Sequence, residues 1–470
     1  MKMLLDGEWV DRSEKLEVRN PQDNSLIDLV PQASVEDMRQ AIGAAVAGAE
    51  RARKMPVHQR MSVLHKAADI LLAEHETYAR TIAQEGIKTI REARKEVTRC
   101  IETIRISAEE ARRINGETIP FDQMPGSENR LGYYFREPVG IIGAITPFND
   151  PLNLVAHKVG PAIAGGNAII VKPDSKTPLS ALMLGKALHK AGLPPAVLQV
   201  IPGPGRKIGD VLVGDPRVRM ISFTGGPNVG KAIMRKIGLK KVGMELGSNS
   251  PVIVMPDADL QLALAATVSG GFWAAGQNCL HTQRLLLHDE IYDDFAERFT
   301  ALAKAYKVGD KLDEATDMGP LINETEAIRV ERMVNEALEQ GATLLTGGRR
   351  NGAFYAPTVL ANLPETCALA REEIYGPVVI LHRFRTLDQA IQRANDVDYG
   401  LQAGIFTKDI QTAFRAAAEL QCGGVMINDS TDYRIDAMPF GGVKGSGLGR
   451  EGIRFALQEM TEPKVVCFNL

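Results

Sequence analysis

From residue 138 onward, short and nearly all-apolar runs alternate with amphipathic stretches, and this alternation most restricts what the chain can fold into. "VGIIGAITP", "NAIIVKP", "LQVIPG" and "RMISFTGG" each end in Gly or Pro, and helical stretches such as "PLSALMLGKALHKAG" lie between them. A strand that is apolar throughout is buried on both faces. Strands of that kind separated by helices form a parallel sheet of βαβ units. A second series starts at "SPVIVM" (250–255) and runs through "FAERFTALAKAYKVG", "PVVILHRF" and "TLDQAIQRAND" to "GVMIND". The expectation is an α/β chain of two lobes with a boundary near 247–250. Upstream, "SVEDMRQAIGAAVAGAERARK" opens on Ser34 with Asp37 three residues later, close to a capping box. Two further helical stretches follow it. Residues 116–137 read as a hairpin around a Pro-Gly-Ser turn.

Charge and cysteine usage narrow the function classes. A formal net charge of −3 over 470 residues gives no general attraction to nucleic acid or to an anionic membrane. No apolar run is long enough to span a bilayer, and "MKMLLDGEWV" lacks the features of a signal peptide. Five cysteines, scattered and odd in number, argue against a disulfide framework and for a reducing, cytoplasmic setting. No CxxC or HExxH spacing occurs, so no metal is expected.

"GGPNVGKA" (225–232) resembles a nucleotide-triphosphate loop, but Ala232 stands where a hydroxyl would hold Mg²⁺. A glycine pair between strand and helix still offers free backbone N–H groups to the pyrophosphate of a dinucleotide. "GQNC" (276–279) places Cys279 after a run of small residues. Alone, such a cysteine is usually buried and inert.

Taken with "ITPFNDPLN" (145–153), "MELGSNSP" (244–251), "EEIYGPV" (372–378) and "MPFGGVKGSGLGREG" (438–452), it is not alone. Five motifs in this order resemble the NAD(P)-dependent aldehyde dehydrogenase superfamily over essentially the whole chain. The resemblance is strongest to the branches acting on lactaldehyde, phosphonoacetaldehyde and semialdehydes. It implies a Rossmann-like cofactor domain (1–115 and 138–247, with 443–459), an α/β catalytic domain (248–442) and a small β oligomerisation element (116–137 and 460–470). It therefore also implies a homodimer or homotetramer. By resemblance, Cys279 is the nucleophile, Asn149 the oxyanion donor and Glu245 the base that activates water. A thiol fits the first role because its thiolate attacks carbonyls readily and leaves again. Branches that release an acyl-coenzyme A generally lack this glutamate, so Glu245 favours a free acid over an acylating or phosphorylating reaction. It also argues against a catalytically retired binding protein.

The same resemblance assigns Thr146, Pro147, Phe148, Lys172, Ser175, Gly205, Phe223, Gly225, Gly226, Glu373 and Tyr375 to the cofactor. Tyr375 replaces the usual Phe. Ser175 stands where strongly NAD-selective members often carry Glu, which would repel a 2′-phosphate. With Lys176 beside it, NADP is expected to be accepted and even preferred over NAD. Asp150, His157, Asn278, Arg434 and Phe440 fall at substrate positions. Their polarity argues against long fatty or simple aromatic aldehydes and for a short hydroxy- or anionic aldehyde, with Arg434 on the anionic group. The competing reading pairs Arg434 with Asp432 or Asp436.

Overall fold

The apolar runs after residue 138 form a first sheet, in a computed structural model that describes residues 1–470. Its parallel strands are Ile141–Ile145, Ala168–Lys172, Leu198–Val200, Met220–Thr224 and Lys241–Glu245, and in chain order they lie 3-2-1-4-5 across the sheet. The order reverses between Ile141–Ile145 and Met220–Thr224. In open α/β sheets ligands bind outside the carboxyl ends of the strands, beside such a reversal. An antiparallel hairpin, Met3–Leu5 with Glu8–Val10, closes one edge, and Gly447–Leu448 pairs antiparallel on the other.

Helices cover both faces. The helix Val35–Lys54 begins with the expected box: the Asp37 N–H donates to Ser34 Oγ (3.1 Å) and the Ser34 N–H to Asp37 Oδ2 (2.8 Å). Met38, Ala41, Ile42 and Ala45 lie on its buried face, the spacing of one helical stripe. Full burial of a side chain such as Ile42 contributes roughly 1.5–3 kcal/mol. An aspartate there would detach the helix from the sheet.

The second series forms a seven-stranded sheet. In spatial order its strands are Thr343–Thr346, Thr358–Ala361, Val378–Phe384, Thr282–His288, Ser250–Val254, Gln402–Phe406 and Gly424–Ile427, all parallel except the first. A third sheet joins Glu117–Ile119, Arg130–Pro138 and Thr461–Asn469, all antiparallel. It carries Leu131, Tyr133, Val465 and Phe468 exposed. No helix is long and apolar enough to cross a membrane.

The two large sheets meet asymmetrically. The first contributes loops that follow its strands, at 146–150, 172–176 and 225–226. The second contributes loops that precede its strands, ending at Asn249, His281, Pro377 and Leu401. The motif residues collect where these two sets of loops face each other.

Candidate active site

One side of this junction is built by the loops that follow the first sheet's strands. Lys172 ends its strand buried, with Nζ donating to Pro173 O at 2.8 Å. Burial lowers its pKa, and Asp174 works against that. The turn Gly205–Gly209 closes over it, so closely that a Cβ on Gly205 would lie 3.9 Å from Lys172 Nζ. Ser175 Oγ donates to Gly203 O at 3.0 Å, tying the same turn from the other side. A Cβ on Gly225 would meet the Phe223 ring at 2.6 Å, so a larger residue there would push the ring aside. Gly226 caps the helix Pro227–Met234 and faces open space; Pro227 has no N–H and Val229 and Gly230 give theirs to Gly226 O, so the Asn228 N–H is the first-turn donor left for a phosphate. Thr146 and Thr224 carry buried hydroxyls without a partner. Open glycine backbone and orphaned hydroxyls at the sheet's reversal point fit a dinucleotide.

The opposite wall comes from the second sheet. Glu373 Oε1 accepts the Ser248 N–H at 2.7 Å, and burial pushes its pKa up to about 7 against that bond and Arg329. Tyr375 meets Phe148 edge-on, with centroids 5.9 Å apart, and Lys176 Nζ stands 5.7 Å over the Phe148 ring. Pro147 continues the same loop between Thr146 and Phe148.

Cys279 follows a strained bend. Ala274, Ala275 and Gly276 hold φ of 51°, 54° and 66° in succession, an arrangement that persists only where surrounding contacts over-determine it. Those contacts are present. The Ala274 N–H donates to buried Glu92 (2.8 Å), and Gln277 bonds Pro320 O and the Ile322 N–H. Asn278 is used within this loop: its amide donates to Trp273 O (3.3 Å) and accepts the Leu280 N–H (2.9 Å). Those bonds fix the Cys279 loop and leave Asn278 less free for the substrate role expected of it. Cys279 itself is half-buried, packed with Leu280, Leu401 and Phe440. Burial raises its thiol pKa, Arg434 opposes this, and Glu245 and Glu373 add to it. Glu245, at a strand end, is buried with Oε2 unpartnered. Burial and then Glu451 hold its pKa well above the carboxylate range. Asn149 is buried (4% exposed), and its amide makes no hydrogen bond to another side chain or backbone group.

The substrate-facing residues expected from sequence separate into two groups. Asp150 does not line the site as a free polar group. It ion-pairs with buried Lys88, which also bonds Glu96 (2.8 Å) and lies 4.6 Å over Trp273. Glu96 in turn accepts the Leu152 and Asn153 N–H groups, so Asp150 belongs to the support of the Asn149 loop. Arg434, His157 and Phe440 do cluster. The Arg434 guanidinium stacks on Phe440 at 3.7 Å, and Nη2 reaches Glu451 (3.1 Å) and His157 Nδ1 (3.4 Å). Neither Asp432 nor Asp436 is its partner. Asp432 bonds Ser269 and Ser430, and Asp436 is held by Arg99 and His157. His157 Nε2 lies 2.7 Å from Asp436. With Nε2–H donating there, Nδ1 is the acceptor for Arg434. Burial, then Arg434, keeps His157 neutral by lowering its pKa. Arg434 Nε is buried without a partner.

Two residues of the site escaped sequence reasoning. Glu451 pairs with both Arg434 and Lys158, whose Nζ also bonds Ser222 (3.0 Å). A signal for Lys158 exists: the helix Asn153–Ala164 is buried at every position, and a lysine in so apolar a run needs a buried partner.

Residues 9–466 match the aldehyde dehydrogenase family. The chain belongs to that family. It is an NAD(P)-dependent aldehyde dehydrogenase in fold and in enzyme class. It is 52% identical to aspartate-semialdehyde dehydrogenase 1 of Pseudomonas canavaninivorans, over 97% of both chains. Among solved structures it is similar to aldehyde dehydrogenase 21 of Physcomitrella patens in complex with its product succinate (42% identity, TM-score 0.97, covering 100% of this chain and 98% of that one). It is also similar to glyceraldehyde-3-phosphate dehydrogenase of Methanocaldococcus jannaschii in complex with NADP (40% identity, TM-score 0.94, covering 98% and 100%).

Proposed function

We propose that this aldehyde dehydrogenase oxidises a short anionic or hydroxylated aldehyde to the free carboxylic acid, with NADP⁺ preferred over NAD⁺. Cys279 Sγ, once deprotonated, attacks the aldehyde carbon to form a thiohemiacetal. The oxyanion is held by the Asn149 amide and the Cys279 N–H. Lys172, Gly226 and Glu373 would hold the dinucleotide, which would supply a hydride acceptor for the thiohemiacetal carbon. The chain is left holding a Cys279 thioester. Glu245 then takes a proton from water, the resulting hydroxide adds to the thioester carbon, and the C–S bond breaks to release the acid and the thiolate. Glu245 suits this step because its Oε2 is unpartnered and buried beside the nucleophile.

The observation that carries the substrate class is Arg434: a guanidinium 5% exposed, beside Cys279, whose Nε lacks a partner. An anionic group on the aldehyde supplies one. The three relatives above are named for, or hold, molecules with a carboxylate or phosphate, which supports the same class. Ser175 and Lys176 support NADP⁺, as do Arg206 and Lys207, exposed on the turn that Ser175 bonds. We assign 1–115, 138–247 and 443–459 to cofactor binding, 248–442 to catalysis, and the third sheet to assembly of a homodimer or homotetramer. Five free cysteines accord with a cytoplasmic location.

The test is a kinetic matrix of NAD⁺ and NADP⁺ against succinic semialdehyde, glyceraldehyde-3-phosphate, lactaldehyde, hexanal and benzaldehyde, with wild type and Arg434→Met. An anionic aldehyde is expected to give the highest kcat/KM. Arg434→Met should raise its KM by about tenfold or more, the loss of a charged hydrogen bond, and spare lactaldehyde. Preference for hexanal, or an unchanged KM for anions, would overturn the substrate assignment.

A further inference from the structure

Away from the active site, the second sheet's outer face holds a cavity of about 710 Å³ between the helix Leu387–Asn395 and the segment 365–371. Its charged lining is Arg284, Arg371, Arg383 and Arg393 against Glu365 and Asp396, and four amide side chains complete the polar wall. Arg383 is taken by Asp289 and Asp293 just outside the lining, so one cation of the wall, Arg284, is left without a carboxylate. The carboxylates that do pair there, Glu365 with Arg393 and Asp396 with Arg371, are 67% and 64% exposed. Surface pairs of that kind are weak and exchangeable.

Two buried groups on this wall are unexplained by the fold alone. Arg284 is 2% exposed and has no carboxylate. Its four hydrogen bonds all go to carbonyls, of Asn249 (Nε and Nη2), Arg393 and Ala394, which leaves one Nη1 N–H unused. Arginine is almost never this buried without a counter-charge. His382 is 8% exposed, and its Nε2 is buried with no partner. An anion with hydrogen-bonding oxygens would answer both.

The cavity wall also connects to the chemistry. Arg284 bonds Asn249 O, and the Asn249 amide donates to Glu372 O at 3.0 Å. The preceding residue, Ser248, gives its N–H to Glu373 and its hydroxyl to Cys279 O. Arg371, on the wall, is two residues from Glu373. We propose that this cavity is a regulatory site for a small polyanionic metabolite bearing phosphate or carboxylate groups. Its occupancy shifts Arg284 and the 370–373 segment, and with them the ribose-binding Glu373 and the Cys279 loop.

The probes are citrate and inorganic pyrophosphate, titrated calorimetrically into the enzyme saturated with NADP⁺, against NaCl of matched ionic strength. Saturation keeps the probes out of the cofactor crevice. At least one probe should bind once per chain. Arg371→Gln/Arg393→Gln, and separately the cavity-filling Gln392→Trp, should weaken it at least about tenfold with basal turnover unchanged. The stronger probe identifies the ligand as phosphate-bearing or polycarboxylate. Bound probe should also change the KM for NADP⁺ in wild type and not in either variant. No binding of either probe, or binding that both variants leave intact, would overturn the site. Binding without any change in KM would overturn its regulatory role.

Discussion

The proposed chemistry rests on single side chains. If Ser175 lies beside the adenosine ribose as proposed, a carboxylate there would repel a 2′-phosphate. We expect Ser175→Glu to move the ratio of kcat/KM from NADP⁺ toward NAD⁺ by roughly a hundredfold, about 2.7 kcal/mol, in steady-state assays with each cofactor. In the proposed mechanism Glu245 works as the carboxylate, and its pKa is raised first by burial and then by Glu451. Thioester hydrolysis should therefore rise with pH through a value above the ordinary carboxylate range. Glu451→Gln removes the neighbouring negative charge and leaves Lys158 and Arg434 facing Glu245, so the rising limb should move to lower pH. A limb that stays in place would show that Glu245 is not the titrating base. Cys279, Glu245 and Asn149 were singled out in the sequence by resemblance to the family's motifs, and the structure buries Glu245 and Asn149 and sets Glu245 within electrostatic reach of the Cys279 thiol. Arg434 was legible as a cation, but its partner was not. The eye goes to Asp432 and Asp436 beside it, whereas the structure reaches Glu451, brought close by the bridge between Phe440 and Glu451. The ion pair of Asp150 was hidden for the same reason, its partner Lys88 being 62 positions away.

Among elements, the bend 274–276 and the helix Asn153–Ala164 matter most. A Cβ on Gly276 would meet Gly376 O at 2.2 Å, on top of a φ of +66°. Gly276→Ala should keep the fold and displace the Cys279 loop. We expect the pre-steady-state burst of reduced nicotinamide to slow by about a hundredfold, the effect of misplacing a reacting group by roughly 1 Å, with a near-native circular dichroism spectrum. A full-size burst would show that the bend tolerates the extra carbon. Behind the Asn153 helix, Asp436 is held by His157 and Arg99. Burial pushes its carboxyl pKa up, but the His157 bond and the Arg99 charge win and hold it far down. A depressed carboxyl contributes stability above its unfolded pKa, near 4, that is lost as pH falls below it. Asp436→Asn should cost roughly 3 kcal/mol near pH 7 and progressively less in acid, readable from urea melts at several pH values. Strands were legible from apolar runs and small-residue boundaries. Which loops would face each other was not, because that depends on two sheets meeting with opposite ends forward.

Across the whole molecule, the third sheet presents Leu131, Tyr133 and Phe468 to solvent, with the Tyr133 and Phe468 centroids 6.4 Å apart. An apolar face on a free three-stranded sheet is a candidate for burial against another copy. Tyr133→Asp/Phe468→Asp should shift the mass measured by light scattering to that of a single chain. An unchanged mass would place the assembly surface elsewhere. The meeting of trailing loops from one sheet with leading loops from the other has its own consequence for how such an enzyme can change. Ser175 and the 203–207 turn hang from the first sheet, and Arg434 and Phe440 lie in the segment beyond the last strand of the second. Under the proposed assignments, redox partner and aldehyde can therefore be re-specified by separate substitutions in separate layers, without either adjustment passing through Cys279.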